Sequence, residues 1–211
     1  IVTTVAETLM SILKGQPSYL SYNFDVSLIS SPDSLLKQIE EVEGVWVRAV
    51  PMVRGISPFK DLLSIFMMWR VLRKSRPTIV HSYTPKAGVV SMIAAKICGV
   101  PVRVHTFTGL IFPTSKGLKQ KILIWADRLI CACATHIVPE GQGVKRDLEN
   151  YLITRKPLNV IGYGNIAGVD TEYFKDDAPG VEAGQVKLVK NLGIDVDSTI
   201  FCFVGRLNRD K

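Results

Sequence analysis

The stretch Thr78–Gly88, "TIVHSYTPKAG", reads as a buried strand, Thr78–Ser82, that runs directly into a helix opened by Thr84 as cap and Pro85 in the first turn. The same two-part pattern repeats on both sides of it. Upstream, Ile1–Val5, Asp25–Ser30 and Val45–Val50 read as strands, and Leu9–Tyr22, Ser34–Val42 and Pro58–Arg76 as helices, the last with Ser57 as cap. Downstream, strands at Val102–Phe107, Thr135–Val138 and Leu158–Ile161 alternate with helices over 85–98, 117–133 and 141–151. Strands separated by helices of this length imply parallel βαβ units, hence a doubly wound α/β sheet. Ligands of such sheets bind beyond the C-terminal ends of the strands. The candidate site therefore lies in the loops 6–8, 51–58, 82–87, 107–117, 139–142 and 162–171.

A chain of 211 residues with 47% hydrophobic content can bury one good core and is not disordered. It has no uncharged apolar run of about 18 residues, so no spanning helix is expected. The four cysteines, Cys98, Cys131, Cys133 and Cys202, sit in apolar surroundings without a C-x-x-C pair. They are expected to be free thiols in a reducing compartment, and no structural zinc is expected. Between residues 51 and 130 there are 13 Lys and Arg against Asp61 and Asp127, a surplus of 11 in a chain whose net charge is +7. That bias implies an anionic partner: a phosphate-bearing substrate, an acidic membrane surface or nucleic acid. No nucleic-acid-binding module accompanies the charge, so nucleic acid is not expected as a partner.

Three loops carry chemistry. In "HSYTPKAG" (His81–Gly88), Lys86 occupies the first turn of a helix, where unpaired amides and the helix dipole attract anions. It reads equally as a phosphate ligand and as a solvated lysine after a Thr-Pro start. In "VRVHTFTGL" (Val102–Leu110), Thr106 and Thr108 fall on one strand face and His105 on the other. His105 at a strand tip is a candidate general base or sugar-hydroxyl ligand, with a packed, hydrogen-bonded histidine as the plainer alternative. The glycines of "GYGNIAGVD" (Gly162–Asp170) do not follow the dinucleotide spacing, so this reads as a tight loop returning to the cleft, with Asn165 and Asp170 able to reach a ligand. The apolar helices 58–76 and 117–133 carry basic tips and read either as core or as a face docking on anionic lipid. Finally, "FCFVGRLNRDK" (Phe201–Lys211) starts a further strand–glycine turn, with Arg206 and Lys211 placed for a diphosphate.

"TPKAG", "AAKICGVPVRVHTFTGL", "VIGYGNIAGVDTEYF" and "FVGRLNRDK", in this order, resemble the family 4 retaining glycosyltransferases, most of all the bacterial enzymes of capsule, O-antigen or exopolysaccharide synthesis. The resemblance implies a GT-B architecture of two Rossmann-like domains: an acceptor domain over 1–174, a connector over 175–198 and the start of a donor domain over 199–211. It implies a nucleotide-sugar donor whose diphosphate meets Arg206 and Lys211, and a lipid-linked saccharide acceptor, often on a polyprenyl diphosphate. It makes the loop after "VRVHTF" part of the catalytic centre; with the loop readings above, Thr108 and His105 are the catalytic candidates and Thr84, Lys86, Thr106, Gly109, Asn165 and Asp170 the acceptor-binding candidates. It implies no metal and no other cofactor, and a peripheral position on the cytoplasmic membrane face. Three positions depart from the family pattern. Thr108 stands where many members have histidine, Ala167 replaces the asparagine of N-G-[VI]-D, and Pro139-Glu140-Gly141 replaces a Ser or Asn-Ser. The chain is expected to be the acceptor half of a longer enzyme, without transferase activity by itself. Two other readings remain open, a different GT-B protein such as a nucleotide-sugar epimerase and a non-enzymatic module binding anionic lipid.

Overall fold

A computed structural model describes residues 1–175, 177, 179–195 and 198–201. The chain divides into two compact units, 1–167 and 168–211. In the first unit the helices and strands alternate as α1 (Ala6–Ser11), α2 (Gln16–Ser21), β1 (Ser27–Ser30), α3 (Leu35–Glu43), β2 (Trp46–Ala49), α4 (Pro58–Ser75), β3 (Ile79–Ser82), α5 (Pro85–Ile97), β4 (Val102–Phe107), α6 (Gly117–Cys133), β5 (His136–Pro139) and α7 (Gln142–Asn150). The second unit holds α8 (Val181–Leu192).

All strand pairs are parallel: β1 with β2, and β4 between β3 and β5. The two groups join through Val2, which bridges Ile29 of β1 on one side and Ser82 of β3 on the other. The first residues of the chain thus lie in the middle of the sheet, as a doubly wound topology requires. One apolar layer, with Met68 and Leu72 of α4, Val90, Met92 and Ala94 of α5 and Ile130 of α6, packs on one face of the sheet. A smaller layer on the other face joins Leu9, Leu13, Leu28, Ile39 and Tyr83.

Several elements differ from their sequence reading for identifiable reasons. The strand expected over Ile1–Val5 contracts to the bridges at Val2. The Thr3 N–H still donates to Ile29 O at 2.9 Å, but the Thr4 N–H turns to Thr84 Oγ1 at 2.9 Å, which ends the pairing on the β3 side. The helix expected over Leu9–Tyr22 is two helices, broken at Gly15 with φ 77°. The buried Glu43 carboxylate accepts from the N–H groups of Gly15 and Ser18 at 2.8 and 3.1 Å, capping α2 from another element. Leu158–Ile161 contributes a single bridge, Leu158 to Ile137, in place of a strand. Neither Ser57 nor Thr84 caps its helix through its side chain. Thr4 Oγ1 takes the α5 role instead, accepting from the Ala87 N–H at 3.2 Å. In the second unit, the helix expected over Val186–Leu192 begins earlier, at Val181, with Glu182 in its first turn where the helix dipole favours an anion.

Part of the basic surplus is structural. Arg103 Nε donates to Cys133 O at 2.6 Å, and Lys156 Nζ donates to Cys131 O at 2.6 Å and to Ala134 O. These cations satisfy carbonyls at the C-terminal end of α6, where the helix dipole favours positive charge.

The tightest point of the core is Gly88 against His105. A Cβ on Gly88 would stand 2.5 Å from His105 Cε1 and 2.9 Å from Ile130 Cδ1. Gly88→Ala is therefore expected to lower unfolding stability by about 1–3 kcal/mol, as overpacking does. Urea denaturation of the two proteins checks it; an unchanged midpoint would show that α5 can move away at no cost.

Candidate functional site

The C-terminal edge of the sheet gathers most of the residues that the sequence singled out, but not in equivalent states. His105 is fully buried on the face covered by α5 and α6, with Nδ1 2.8 Å from Ser82 Oγ and its ring edge-on to Phe107 at 4.5 Å. Among the described residues its Nε2 has no hydrogen-bond partner, and burial holds its pKa down at about 3. The ring is neutral and enclosed, so it does not stand at the open edge as a strand-tip base would. The plainer reading, a packed and hydrogen-bonded histidine, describes its placement.

On the opposite face, Thr106 is buried and its hydroxyl lies 2.7 Å from His81 Nε2. His81 Nδ1 is 3.3 Å from the Tyr83 hydroxyl, which donates to Gln16 Oε1 at 3.1 Å, and the His81 and Tyr83 rings stack at 4.2 Å. Burial pushes His81 down to about 3. This chain of polar groups ties β3, β4 and α2 together, and of its four members sequence reasoning assigned a site role only to Thr106. Gln16 and Tyr83 carried no pattern that would have flagged them, because their partners lie 67 residues apart in sequence.

Thr108, half-buried just beyond β4, donates from Oγ1 to Tyr83 O at 3.3 Å. Gly109 follows it with φ 130°. The Thr84 hydroxyl accepts from the Thr4 N–H at 2.9 Å and lies 2.5 Å from the Thr4 hydroxyl. Lys86 Nζ forms an ion pair with Asp61 of α4 at 2.6 Å, with both side chains less than a fifth exposed. An anion at the first turn of α5 has to compete with that carboxylate. Asn165, at φ 70°, is exposed; its N–H donates to Glu140 O at 2.6 Å, and its Oδ1 accepts from Ala167 N at 3.2 Å. Thr84, Lys86, Thr106, Thr108, Gly109 and Asn165 all belong to the first unit, each held by its own partners. Asp170 belongs to the second unit, where its Oδ1 accepts from the N–H groups of Glu172 and Tyr173, both at 3.0 Å. Arg206 and Lys211 lie outside the described residues. Among the described residues no group of three or more His, Cys, Asp or Glu side chains is placed to hold a metal ion.

A second surface flanks this edge. In α4, Ser64, Met68 and Leu72 face the core while Phe59, Leu62, Leu63 and Phe66 form an exposed stripe, with Phe59 92% exposed. In α6, Leu118, Ile122 and Trp125 repeat that spacing on its exposed side, beside exposed Lys119 and Lys121. Both helices pack on α5. Among the described residues no helix is long and apolar enough to cross a membrane.

Comparison with known proteins assigns this arrangement. Residues 19–164 match the glycosyl transferase 4-like domain family, and the chain belongs to that family. It is 34% identical over 203 residues to the capsular polysaccharide biosynthesis glycosyltransferase CapM of Staphylococcus aureus, covering 95% of this chain and 51% of that protein. It is 30% identical over 187 residues to the UDP-Gal:alpha-D-GlcNAc-diphosphoundecaprenol alpha-1,3-galactosyltransferase of Escherichia coli, covering 87% and 46%. The chain thus spans about half the length of these relatives. Among solved structures it resembles Anabaena Alr3699/HepE in complex with UDP and glucose, with TM-score 0.64, 16% identity and 91% and 49% coverage. It also resembles Acinetobacter baumannii MurG, with TM-score 0.52, 13% identity and 78% and 44% coverage. At those identities the likeness concerns the fold, which is the Rossmann-like half of a GT-B protein.

The buried histidines have a consequence for stability against pH. Unfolded histidines titrate near 6.5, whereas His81 and His105 are held at about 3 in the folded protein. The unfolded state therefore binds more protons between these values, and stability falls as pH drops from about 6.5 towards 3. Asp127, raised by burial to about 7, has the opposite sign: the folded state takes its proton first, which favours folding at the acid end of the range. Thermal midpoints are expected to fall on acidification in the wild type and to fall more steeply in Asp127→Asn. A midpoint independent of pH between 4 and 6.5 would contradict the buried, neutral state of both rings.

Proposed function

We propose that this chain forms the acceptor-binding half of a retaining glycosyltransferase that uses a nucleotide sugar and acts on a saccharide carried by a polyprenyl diphosphate in surface polysaccharide synthesis. The observation that supports it most is the 34% identity to a capsular glycosyltransferase along 95% of the chain. The relative at 30% identity is named for transfer to a diphosphoundecaprenol-linked sugar. The strand-tip hydroxyls of Thr84 and Thr108 and the amide of Asn165 are suited to sugar hydroxyl groups, which donate and accept hydrogen bonds.

In the reaction, the acceptor hydroxyl oxygen attacks the anomeric carbon on the face from which the diphosphate departs. The bond from that carbon to the phosphate oxygen breaks, and the hydroxyl proton passes to the leaving diphosphate. Positive charge at the diphosphate stabilises the developing anion; Arg206 and Lys211 take this role in the reading. No metal and no resident cofactor is invoked. Residues 1–211 alone are proposed to bind acceptor without transferring sugar, because the relatives they match are about twice as long.

The exposed stripes of α4 and α6, with their lysines, are proposed to dock the protein on the anionic cytoplasmic face of the membrane, where a polyprenyl-linked acceptor resides. Apolar side chains enter the interface and cations are attracted to acidic head groups.

Two measurements follow. The natural protein containing this chain, mixed with GlcNAc-diphosphoundecaprenol and UDP-galactose, UDP-glucose or UDP-GlcNAc, should yield a lipid extended by one sugar with the anomeric configuration of the donor. No product from any of the three donors, or an inverted linkage, overturns the reading. Flotation with phosphatidylglycerol vesicles should carry the protein upward and weaken at high salt, since exposed charges are screened within about 8 Å at physiological ionic strength. Replacing both Phe59 and Leu62 by Ser is expected to lower vesicle binding about ten-fold or more. Binding indifferent to both salt and this change would remove the membrane role.

A further inference from the structure

The register of β3, β4 and β5 sorts their side chains onto two faces. Thr106 pairs with Val138, and Ser82 with His105. Thr108 and Glu140 therefore come level at the C-terminal edge of β4 and β5, one step beyond Tyr83 and Thr106 on the same face of the sheet. The ladder extends that far, since the Glu140 N–H donates to Phe107 O at 3.0 Å.

Two polar groups of this face have partners: the Tyr83 hydroxyl on Gln16 and the Thr108 hydroxyl on Tyr83 O. The Glu140 carboxylate has none. Among the described residues it makes neither an ion pair nor a hydrogen bond. Its backbone is nevertheless firmly held. Glu140 O accepts from the Asn165 N–H at 2.6 Å. Gly164 passes so close that a Cβ there would stand 2.8 Å from Glu140 O and 3.0 Å from Gly141 Cα. Glu140 is half-buried, and burial raises its pKa. A partly desolvated carboxylate without donors costs free energy that a ligand bearing hydroxyl groups would recover.

We propose that Glu140 is a saccharide-binding residue whose carboxylate accepts hydrogen bonds from hydroxyl groups of the acceptor sugar lying over Thr108. This rests on the reading of the protein as a glycosyltransferase and names a residue through which it selects its acceptor. A carboxylate repels phosphate and accepts from neutral hydroxyls, and its two oxygens suit a vicinal pair. The residue therefore reads the sugar ring and leaves the diphosphate to cations elsewhere.

The test uses the natural protein containing this chain, with GlcNAc-diphosphoundecaprenol as acceptor and UDP-galactose, UDP-glucose and UDP-GlcNAc as donors. Glu140→Ala is expected to raise the KM for the acceptor roughly ten- to hundred-fold while the donor KM changes less than about two-fold. Glu140→Gln, which keeps one accepting oxygen, should recover a large part of that loss. Three results would overturn the proposal: an acceptor KM unchanged in Glu140→Ala, a loss confined to the donor KM, or equal losses in both variants with a lowered thermal midpoint. No turnover by the wild type with any donor would remove the transferase reading and this assignment with it. Turnover by the wild type with an insensitive Glu140→Ala removes this assignment alone.

Discussion

Four backbone hydrogen bonds at the start of the chain hold the sheet together. Ile1 O and the Thr3 N–H bond to Ile29, the Val2 N–H donates to His81 O, and Val2 O accepts from Tyr83. Without them β1–β2 and β3–β4–β5 would be separate groups. The same segment carries Thr4 onto Thr84 and onto the first turn of α5. The position of the α5 N-terminus at the ligand edge is thus set by Thr4, 80 to 83 positions earlier. Its first-turn lysine is in turn held by Asp61 of α4. The helix with the exposed apolar stripe and the helix that opens onto the site are coupled by one poorly solvated ion pair, a contact whose rupture leaves an uncompensated charge.

The sheet has two unlike faces at its functional edge. On one, Gly88 and Ile130 close over His105, which is affordable only because the ring is neutral and one nitrogen bonds Ser82. On the other, polar groups are linked in sequence from Gln16 through Tyr83 and His81 to Thr106. Such a chain of buried hydrogen bonds is costly when incomplete and rigid when satisfied. It fixes the backbone of Tyr83, and the Tyr83 carbonyl holds the Thr108 hydroxyl. The rigidity of the strand tips thus comes from beneath them, while the groups that would meet a ligand remain at the edge.

Much of this was legible in the sequence. Alternating strand and helix patterns place β4 over Val102–Phe107 and α6 over Gly117–Cys133 at the residues where the structure has them. They also imply the parallel sheet, and strand periodicity puts Thr106 and His105 on opposite faces. The stretches that resemble family 4 glycosyltransferases lead to the family that residues 19–164 match. These features are local: periodicity, turn residues and short motifs do not depend on distant partners.

What only the tertiary structure decided is how each charged or polar group is used. Sequence shows a lysine in a helix first turn but not that Asp61, 25 residues away, is its partner. It shows a basic surplus but not that Arg103 and Lys156 are consumed in closing α6 while Lys119 and Lys121 stay exposed. It shows a histidine at a strand tip but not the glycine and isoleucine that seal it. Glu140 appeared only as a departure from a family pattern, and its placement beside Thr108 follows from strand register. The physical reason is common to all of these. A side chain's protonation, pairing and access depend on the groups that surround it in space, and long-range packing brings those groups from elsewhere in the chain.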